Sequence, residues 1–406
     1  MRIIYSAYHW LWAFASAVWS GFPSRHLTVI GVTGTKGKST TVELIAEVLK
    51  ADGKRVAFYT SVWRVIGDER IKNASGNSMP GRGAIQKFLK EAKRAGCTYA
   101  VIEVTSQGVV QHRHLFINWD AAVFLNLTPE HIESHGSFEN YRAAKVAFFA
   151  FLKHSSKKTR LFFVNRKDPN TPWFIRAAER VPNGKITEFD GYAPLKNPWF
   201  RSDFNRENAG AAAAVAEAFG VPPGKTREAF ERFGGVPGRM EFVQMEPFAV
   251  VVDYAHTPDS LEAIYGAVRP EEVFGRPGRL IAVLGSAGGG RDKWKRPKMG
   301  AVAARYCDAL ILTSEDPFDE DDKEIIKELR SGFAEARNSR LKPENTFEIL
   351  DRREAIEKAI GLARPGDVVV LTGKGSESYI RIAHGRKIAW NERRAALEAL
   401  ASRNSE

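Results

Sequence analysis

Cysteine is scarce in this chain: Cys97 and Cys307 are the only two among 406 residues. Two thiols make no disulfide framework, so a reducing, cytoplasmic setting is expected. Internal repeats and low-complexity tracts are missing as well, which excludes solenoid arrays and compositional linkers. Acidic side chains are outnumbered, 48 Asp and Glu against 60 Lys and Arg, for a formal charge of +12. That excess favours anionic partners such as nucleotides, phosphorylated substrates or an acidic membrane surface. Nucleic acid is not an expected partner, because the basic residues are dispersed without a DNA- or RNA-reading motif.

Long apolar runs are also lacking, with one exception. Tyr5–Phe22 is rich in aromatics and has His9 as its only ionisable side chain. A signal peptide, a membrane span and an amphipathic helix are the open readings. The basic stretch before it is a single Arg, and Ser6, His9, Ser16 and Ser20 interrupt the run. A helix that packs on the protein or rests on a membrane is therefore favoured, with peripheral membrane contact through residues 5–22 as its corollary.

With 44% hydrophobic and 27% charged residues, the chain has the composition of an ordinary globular protein, and its length suits two or three domains. Short apolar runs alternate with helical patterns from Leu27 onward, which predicts an α/β fold with mostly parallel strands. Candidate strands are 26–32, 55–60, 99–104, 121–125 and 161–164, with helices over 39–51, 84–95, 141–153 and 205–219. Gly234-Gly235-Val236-Pro237-Gly238 is the strongest punctuation. Beyond it the alternation restarts, with strands over 249–253, 280–284, 309–312 and 368–371. The expected organisation is an N-terminal segment 1–27, a central domain 28–236 and a smaller Rossmann-like C-terminal domain 237–406.

A predicted strand runs into Gly34-Thr35-Lys36-Gly37-Lys38-Ser39-Thr40 and then a helix. Glycines let backbone N–H groups turn towards a phosphate, and the helix N-terminus adds positive charge. Lys38 can reach the β- and γ-phosphates, and the Ser39 hydroxyl can ligate magnesium. The strict P-loop pattern has glycine where this chain has Val32; Gly31 and Gly34 are expected to supply the flexibility instead. The central domain is thus read as a P-loop ATPase domain.

Further stretches narrow the choice among nucleotide-using proteins. In order they are Glu103-Val104-Thr105-Ser106, Gly108-Val109-Val110-Gln111-His112-Arg113, Glu130-His131-Ile132-Glu133-Ser134-His135-Gly136, Tyr141-Arg142-Ala143-Ala144-Lys145 and Phe204-Asn205-Arg206-Glu207-Asn208. Then follow Pro237-Gly238-Arg239-Met240-Glu241, Asp253-Tyr254-Ala255-His256-Thr257-Pro258-Asp259, Gly288-Gly289-Gly290-Arg291-Asp292-Lys293 and Gly373-Lys374-Gly375-Ser376-Glu377. Together they resemble the Mur ligase family, and within it the type that adds the third residue of the peptidoglycan peptide.

The resemblance implies an ATP-dependent acid–amino-acid ligase that makes an acyl phosphate on a muramoyl-peptide carboxylate and adds a free amino acid, using ATP and Mg²⁺, two ions in all. Glu103 ends an apolar strand and could hold Mg²⁺, a solvated strand-end acid being the plainer alternative. The residue matching His131 helps hold the second magnesium, while His135 reads as a hydrogen-bonded structural histidine. Lys145 would by itself be a surface lysine; the matching family residue is carbamylated. Asn208, Arg239, Asp253 and His256 match nucleotide contacts, although Asn208 could equally be a helix cap. Thr105, Gln111 and Arg113 match residues that hold a UDP-muramoyl-peptide-like acceptor, and an exposed basic loop is the alternative.

Arg291 matches the residue that grips the α-carboxylate of the incoming amino acid, and Gly373 and Glu377 match contacts to its other end. Diaminopimelate-adding enzymes carry Asp-Asn-Pro-Arg, where this chain reads Glu315-Asp316-Pro317-Phe318. Phe318 cannot clamp a carboxylate and the two acids would repel one, so lysine or ornithine is expected rather than diaminopimelate. Three departures from the family stand out: a short stretch before the phosphate loop, Lys36 in place of Asn, and Asn77-Ser78-Met79-Pro80 near the acceptor. Competing readings are a folylpolyglutamate synthase-like ligase and a non-catalytic nucleotide-binding scaffold tethered to membrane.

Overall fold

In the computed structural model, which describes residues 2–73, 75–81, 83–130, 135–290 and 292–403, the chain forms two compact units, 1–234 and 235–406. The first opens with α1 (Arg2–Ser20), then β1 (Thr28–Thr33), α2 (Lys38–Ala51), the short strands β2 (Val56–Tyr59), β3 (Trp63–Ile66) and β4 (Glu69–Lys72), α3 (Ala84–Arg94), β5 (Tyr99–Glu103) and α4 (Ser106–Val110). It continues through β6 (Ala121–Phe124), α5 (Phe138–Phe151), β7 (Arg160–Asn165), α6 (Thr171–Glu179), β8 (Gly184–Phe189), α7 (Asp203–Ala218) and α8 (Pro223–Glu231).

These strands make one sheet in the order β4-β3-β2-β5-β1-β6-β7-β8. It is parallel from β2 to β8, while β3 and β4 add an antiparallel edge. β1 lies between β5 and β6, so Val32 is in register with both Glu103 and Val123. The chain leaves β1 towards β2 on one side, and β6, β7 and β8 extend the sheet on the other. Such a reversal opens a crevice at the carboxyl ends of the strands.

An aromatic core fixes β1 against its neighbours. Trp119, Phe148, Phe149, Phe162 and Phe174 are all buried in one cluster. The ring of Trp119 meets Phe148 edge-on at 5.0 Å, a geometry aromatic pairs prefer. A Cβ on Gly31 would overlap the Phe148 ring and lie 2.9 Å from Trp119. The expected role of Gly31 as a source of loop flexibility is therefore wrong: it sits inside β1, and aromatic packing requires its missing side chain.

Residues 5–22 likewise have a definite place. α1 ends where Gly21 and Phe22 adopt left-handed backbone angles, and Trp10 and Phe14 pack on Phe116 with ring centroids 5.4 and 5.3 Å apart. Among the described residues no helix is long and apolar enough to cross a membrane, so the reading as a packed helix holds over the span.

The second unit holds β9 (Glu241–Gln244), β10 (Ala249–Val252), α9 (Pro258–Ala267), α10 (Pro270–Phe274), β11 (Leu280–Leu284), α11 (Lys295–Tyr306), β12 (Ala309–Leu312), α12 (Asp322–Ser331), β13 (Thr346–Glu348), α13 (Arg352–Leu362), β14 (Val368–Leu371), the hairpin β15 (Tyr379–Arg381) and β16 (Lys387–Ala389), and α14 (Glu392–Arg403). Its sheet runs β13-β12-β11-β14-β10-β9, parallel except for β9. The central strands are apolar runs buried on both faces, as parallel sheets require. The edge strands β4, β8, β9 and β13, and β3 next to the edge, escaped the apolar-run reading because they are only partly buried or exposed.

One buried acid makes the stability of the first unit depend on pH. Burial raises the carboxyl of Glu43, on α2, to about 7, and the Arg70 guanidinium at 2.7 Å only partly offsets this. The folded pKa exceeds the unfolded one, so the folded state holds the proton more tightly and loses stability as pH rises through that window. Glu43→Gln should raise the unfolding free energy by about 2 kcal/mol at ~pH 8 and by almost nothing at ~pH 4. Denaturant melts at the two pH values check this; an equal effect at both would refute it.

Candidate active site

The turn from β1 into α2 brings two ammonium groups to one carbonyl. Lys38 Nζ donates to the Gly34 carbonyl at 3.0 Å and to that of Thr35 at 2.7 Å. Lys145, one turn of α5 beyond Tyr141, donates to the same Gly34 carbonyl at 2.7 Å. Lys145 is 1% exposed, its cation lying 4.8 Å from the centroid of the Tyr141 ring. Burial pushes its pKa well below the ordinary lysine range, nearby Lys38 pushes the same way, and Glu130 and Glu103 oppose both. Far from a surface lysine, Lys145 is part of the phosphate-loop floor.

The loop is held from the β6 side. Asn126 accepts from the Lys36 backbone N–H at 2.9 Å and donates back to the Lys36 carbonyl at 3.2 Å. Thr128 N–H donates to Thr35 Oγ1 at 3.0 Å, and that hydroxyl also meets Tyr141 Oη at 3.1 Å. Gly37, at φ 80°, begins α2, and Thr40 is buried in its first turn. A Cβ on Gly37 would overlap Asn208 Oδ1, which accepts from Thr41 Oγ1 at 3.2 Å. Asn208 lies inside α7, whose N-cap is Ser202, so the helix-cap alternative falls and the side chain instead braces the loop.

Glu103 closes β5 beside this turn. Its Oε1 accepts from Ser39 Oγ at 2.5 Å and from the Ser61 backbone N–H at 3.0 Å. A hydroxyl and a carboxylate converging at a strand end form the hard-oxygen donor set that Mg²⁺ takes, so the residues present fit that ion. His131 lies outside the described residues, and among the described ones no group of three or more His, Cys, Asp or Glu gathers. His135 Nε2 is 3.0 Å from Ser106 Oγ, the hydrogen-bonded role expected of it.

Beyond Glu103, Thr105 caps α4 by accepting from Gly108 N–H at 3.0 Å. Arg113 donates to Gln111 Oε1 and to the Met79 carbonyl, which ties the 111–113 loop to the Asn77–Pro80 stretch.

In the second unit, Asp253 follows β10 and accepts from the N–H groups of Met240 and Ala255, both at 2.7 Å. Arg239 lies over the Tyr254 ring at 4.3 Å, and His256 Nδ1 is 2.8 Å from the Tyr254 carbonyl. Elsewhere in this unit Gly373, at φ 102°, follows β14, and a Cβ there would overlap the buried Glu315 carboxylate. Burial raises the Glu315 pKa, against the opposing charges of Lys374, Arg352, His256 and Lys295. Lys374 Nζ donates to Asp316 Oδ1 at 2.8 Å and also to Glu377, while Arg381 pairs with Asp316 and, at 3.5 Å, with Glu377. The repulsion expected from Asp316 is thus largely neutralised by Lys374 and Arg381. Arg291 lies outside the described residues.

Comparison with known proteins decides the family. Residues 32–209 match the Mur ligase middle domain, and residues 238–375 match the Mur ligase glutamate ligase domain. The chain is 38% identical over 419 residues to a UDP-N-acetylmuramyl-tripeptide synthetase of Roseiflexus sp. (strain RS-1), covering 95% of this chain and 81% of that one. The chain belongs to the Mur ligase family. A UDP-N-acetylmuramoyl-L-alanyl-D-glutamate--2,6-diaminopimelate ligase of Syntrophomonas wolfei is 36% identical over 96% of this Mur ligase and 81% of its own length. A solved structure of another ligase of that name superposes with a TM-score of 0.61 at 28% identity, covering 93% of this chain and 79% of that one. The fold is shared with Mycobacterium tuberculosis folylpolyglutamate synthase complexed with ADP and AMPPCP, at a TM-score of 0.69 and 17% identity over 89% of this chain and 92% of that one. This Mur ligase is an ATP-dependent enzyme that forms an amide bond.

Sequence reasoning missed Asn126, Thr128, Ser61 and Tyr141 in the loop's surroundings. Asn126 and Thr128 come straight after an apolar strand, at the edge where ligands bind, and that position was the available signal. Asn208→Ala removes the brace on Gly37, and the affinity for ADP should fall by about tenfold, roughly 1.4 kcal/mol. Titration calorimetry measures it, and an unchanged affinity would count against Asn208 as a support of the loop.

Proposed function

We propose that this Mur ligase phosphorylates the terminal carboxylate of a UDP-muramoyl-peptide-like acceptor and joins it to the amino group of a free amino acid, in peptidoglycan precursor synthesis. One observation carries the reading: Lys38 and Lys145 converge on the Gly34 carbonyl beside the Ser39–Glu103 pair. Lys38 there supplies positive charge to a transferring phosphoryl group, and Lys145, once carbamylated, would join Ser39 and Glu103 as an anionic ligand beside it.

Ser39 and Glu103, joined by His131 and a carbamylated Lys145, would hold two Mg²⁺ ions, which when bound would neutralise phosphate oxygens. Gly34 to Thr40 would cradle the phosphates of ATP, with Asn208, Arg239, Asp253 and His256 as further nucleotide contacts. Lys38 would follow the γ-phosphoryl as its bond to the β-phosphate breaks and a bond to the acceptor carboxylate forms. The incoming amine would then attack the acyl carbon, and the tetrahedral species would expel phosphate as the amide forms. The burial of Lys145 favours its neutral amine, the form that adds carbon dioxide to become a carbamate with loss of a proton.

Thr105, Gln111 and Arg113 would hold the acceptor, and Arg291, Glu315, Asp316, Gly373 and Glu377 the amino acid. Around Gly373, Lys374 and Arg381 pair with Asp316 and Glu377, while the buried Glu315 is opposed by Lys374, Arg352, His256 and Lys295. The preference for lysine or ornithine over diaminopimelate therefore rests on Phe318, which offers a distal carboxylate no cation. The two free buried cysteines suit a cytoplasmic enzyme. On α1, Leu11, Val18 and Trp19 are 59%, 52% and 86% exposed, which favours peripheral contact with a lipid surface. Sedimentation with anionic vesicles should carry down the wild type and less of Trp19→Ala; no sedimentation of either would dismiss the contact.

Mass spectrometry of products from UDP-muramoyl-dipeptide, ATP and pooled amino acids tests the function. A muramoyl tripeptide containing lysine or ornithine is expected, and Lys38→Ala should lower its rate by ~10²–10³. Diaminopimelate in the product would overturn the amino-acid assignment. Glutamate added to a folate, with no muramoyl product, would overturn the acceptor.

A further inference from the structure

A cavity of about 320 Å³ lies between α1, the start of α3 and the 111–115 loop, lined in part by His9, Trp12, Ser16, Gln86, Gln111 and Arg113. That volume falls at the lower end of small-molecule sites. On α1 the lining residues His9, Trp12, Ala13 and Ser16 repeat at i, i+3, i+4 and i+7, which places them on one helical stripe. The Trp10 and Phe14 rings of the same helix contact Phe116. The helix is therefore held firmly against the unit, yet the stripe beside its packed aromatics is left hollow.

Two close contacts show that this placement is built. Gly83 has φ 80°, and a Cβ there would lie 2.7 Å from the Cβ of Ser16, so the loop approaches α1 as only glycine permits. At the other end Lys90 Nζ donates to the Trp19 carbonyl at 3.2 Å, a favourable position for a cation at a helix C-terminus.

Two residues that line the cavity each carry an enclosed polar atom without a partner among the described residues. Gln86 is 4% exposed and donates through Nε2 to the Phe116 carbonyl at 3.3 Å, while its Oε1 has no hydrogen-bond partner among the described residues. Leaving a buried acceptor this way is unfavourable. Arg113 Nε is likewise buried and unmatched among the described residues, although its terminal nitrogens are anchored on Met79 and Gln111. Arg82, on the neighbouring loop, is outside the described residues. Gln86 and Arg113 thus line the space together with an apolar wall of Trp12, Ile85 and Leu115.

We propose that α1 is a wall of the acceptor site: its His9–Trp12–Ser16 stripe, with Gln86 and Arg113, receives a part of the acceptor that carries an amide or hydroxyl donor beside an anionic group. This rests on the functional reading above, because Gln111 and Arg113 belong to the proposed acceptor loop. It goes further by giving the N-terminal helix and Gln86 a direct part in acceptor recognition. The anionic group can come from the sugar-peptide's carboxylates or from a diphosphate, and the two sources are separable.

Calorimetric binding of UDP-muramoyl-dipeptide, of muramoyl dipeptide without the nucleotide, and of uridine diphosphate tests the proposal on wild type, Trp12→Ala and Gln86→Leu. Trp12 is on an exposed helix, so its truncation tests the site even if Gln86→Leu folds poorly, and unchanged ADP affinity shows that a variant is folded. Both variants should bind the whole acceptor about tenfold more weakly while keeping their ADP affinity. The fragment whose affinity falls with them identifies the part seated in the cavity. Wild-type affinity of Trp12→Ala and of folded Gln86→Leu for the whole acceptor and both fragments would overturn the role of α1 and leave the function intact. Failure of the wild type to bind any of the three would overturn the function and this inference together.

Discussion

Lys38 and Lys145 share one backbone carbonyl, and the neighbouring structure answers the repulsion this creates. Two full positive charges so close are costly in a water-poor setting. Burial relieves part of that cost by lowering the proton affinity of Lys145, and Glu130 and Glu103 supply opposing charge. Tyr141 places its ring near the Lys145 ammonium and its hydroxyl on Thr35, so α5 and the phosphate loop are fixed to each other through a charge that seeks an anion. That position suits a site for phosphoryl groups, and burial there lowers the proton affinity of Lys145.

Both units use one backbone device at their sites. A glycine in the left-handed region follows a central parallel strand, and a side-chain oxygen occupies the space a Cβ would fill. In the first unit the pair is Gly37 with Asn208, and in the second Gly373 with Glu315. Any side chain at either glycine would meet steric overlap as well as backbone strain. The second unit surrounds its device with ion pairs, where Lys374 is fully buried between Asp316 and Glu377. Buried charges of this kind are retained only when each is matched, so the carboxylates there act as an interlocked set and not as separate contacts.

Much of this was legible from the residues alone. Apolar runs located the central parallel strands because both faces of such strands are buried, and the glycine-rich turn located the phosphate loop. The exposed or partly buried strands β3, β4, β8, β9 and β13, at or next to the sheet edges, carried too weak a pattern to be seen. Lys145 was legible only through resemblance: nothing in an alanine- and phenylalanine-rich helix says which turn faces a loop 111 positions away. Gly31 was misread because a glycine near a turn invites a flexible reading, whereas the reason for it lies in rings from Trp119 and Phe148, far along the chain. The partners of Asp316 escaped for the same reason, since Lys374, after β14, and Arg381, on β15, come about sixty positions on.

Gly31 has one more consequence. With Phe148 and Trp119 pressed onto the bare backbone of β1, the strand that launches the phosphate loop is clamped by the same aromatic cluster that holds α5 and therefore Lys145. Besides the polar braces from Asn126, Thr128 and Asn208, the loop therefore depends on the packing of those rings, and a substitution that loosened them would disturb β1 and α5 together.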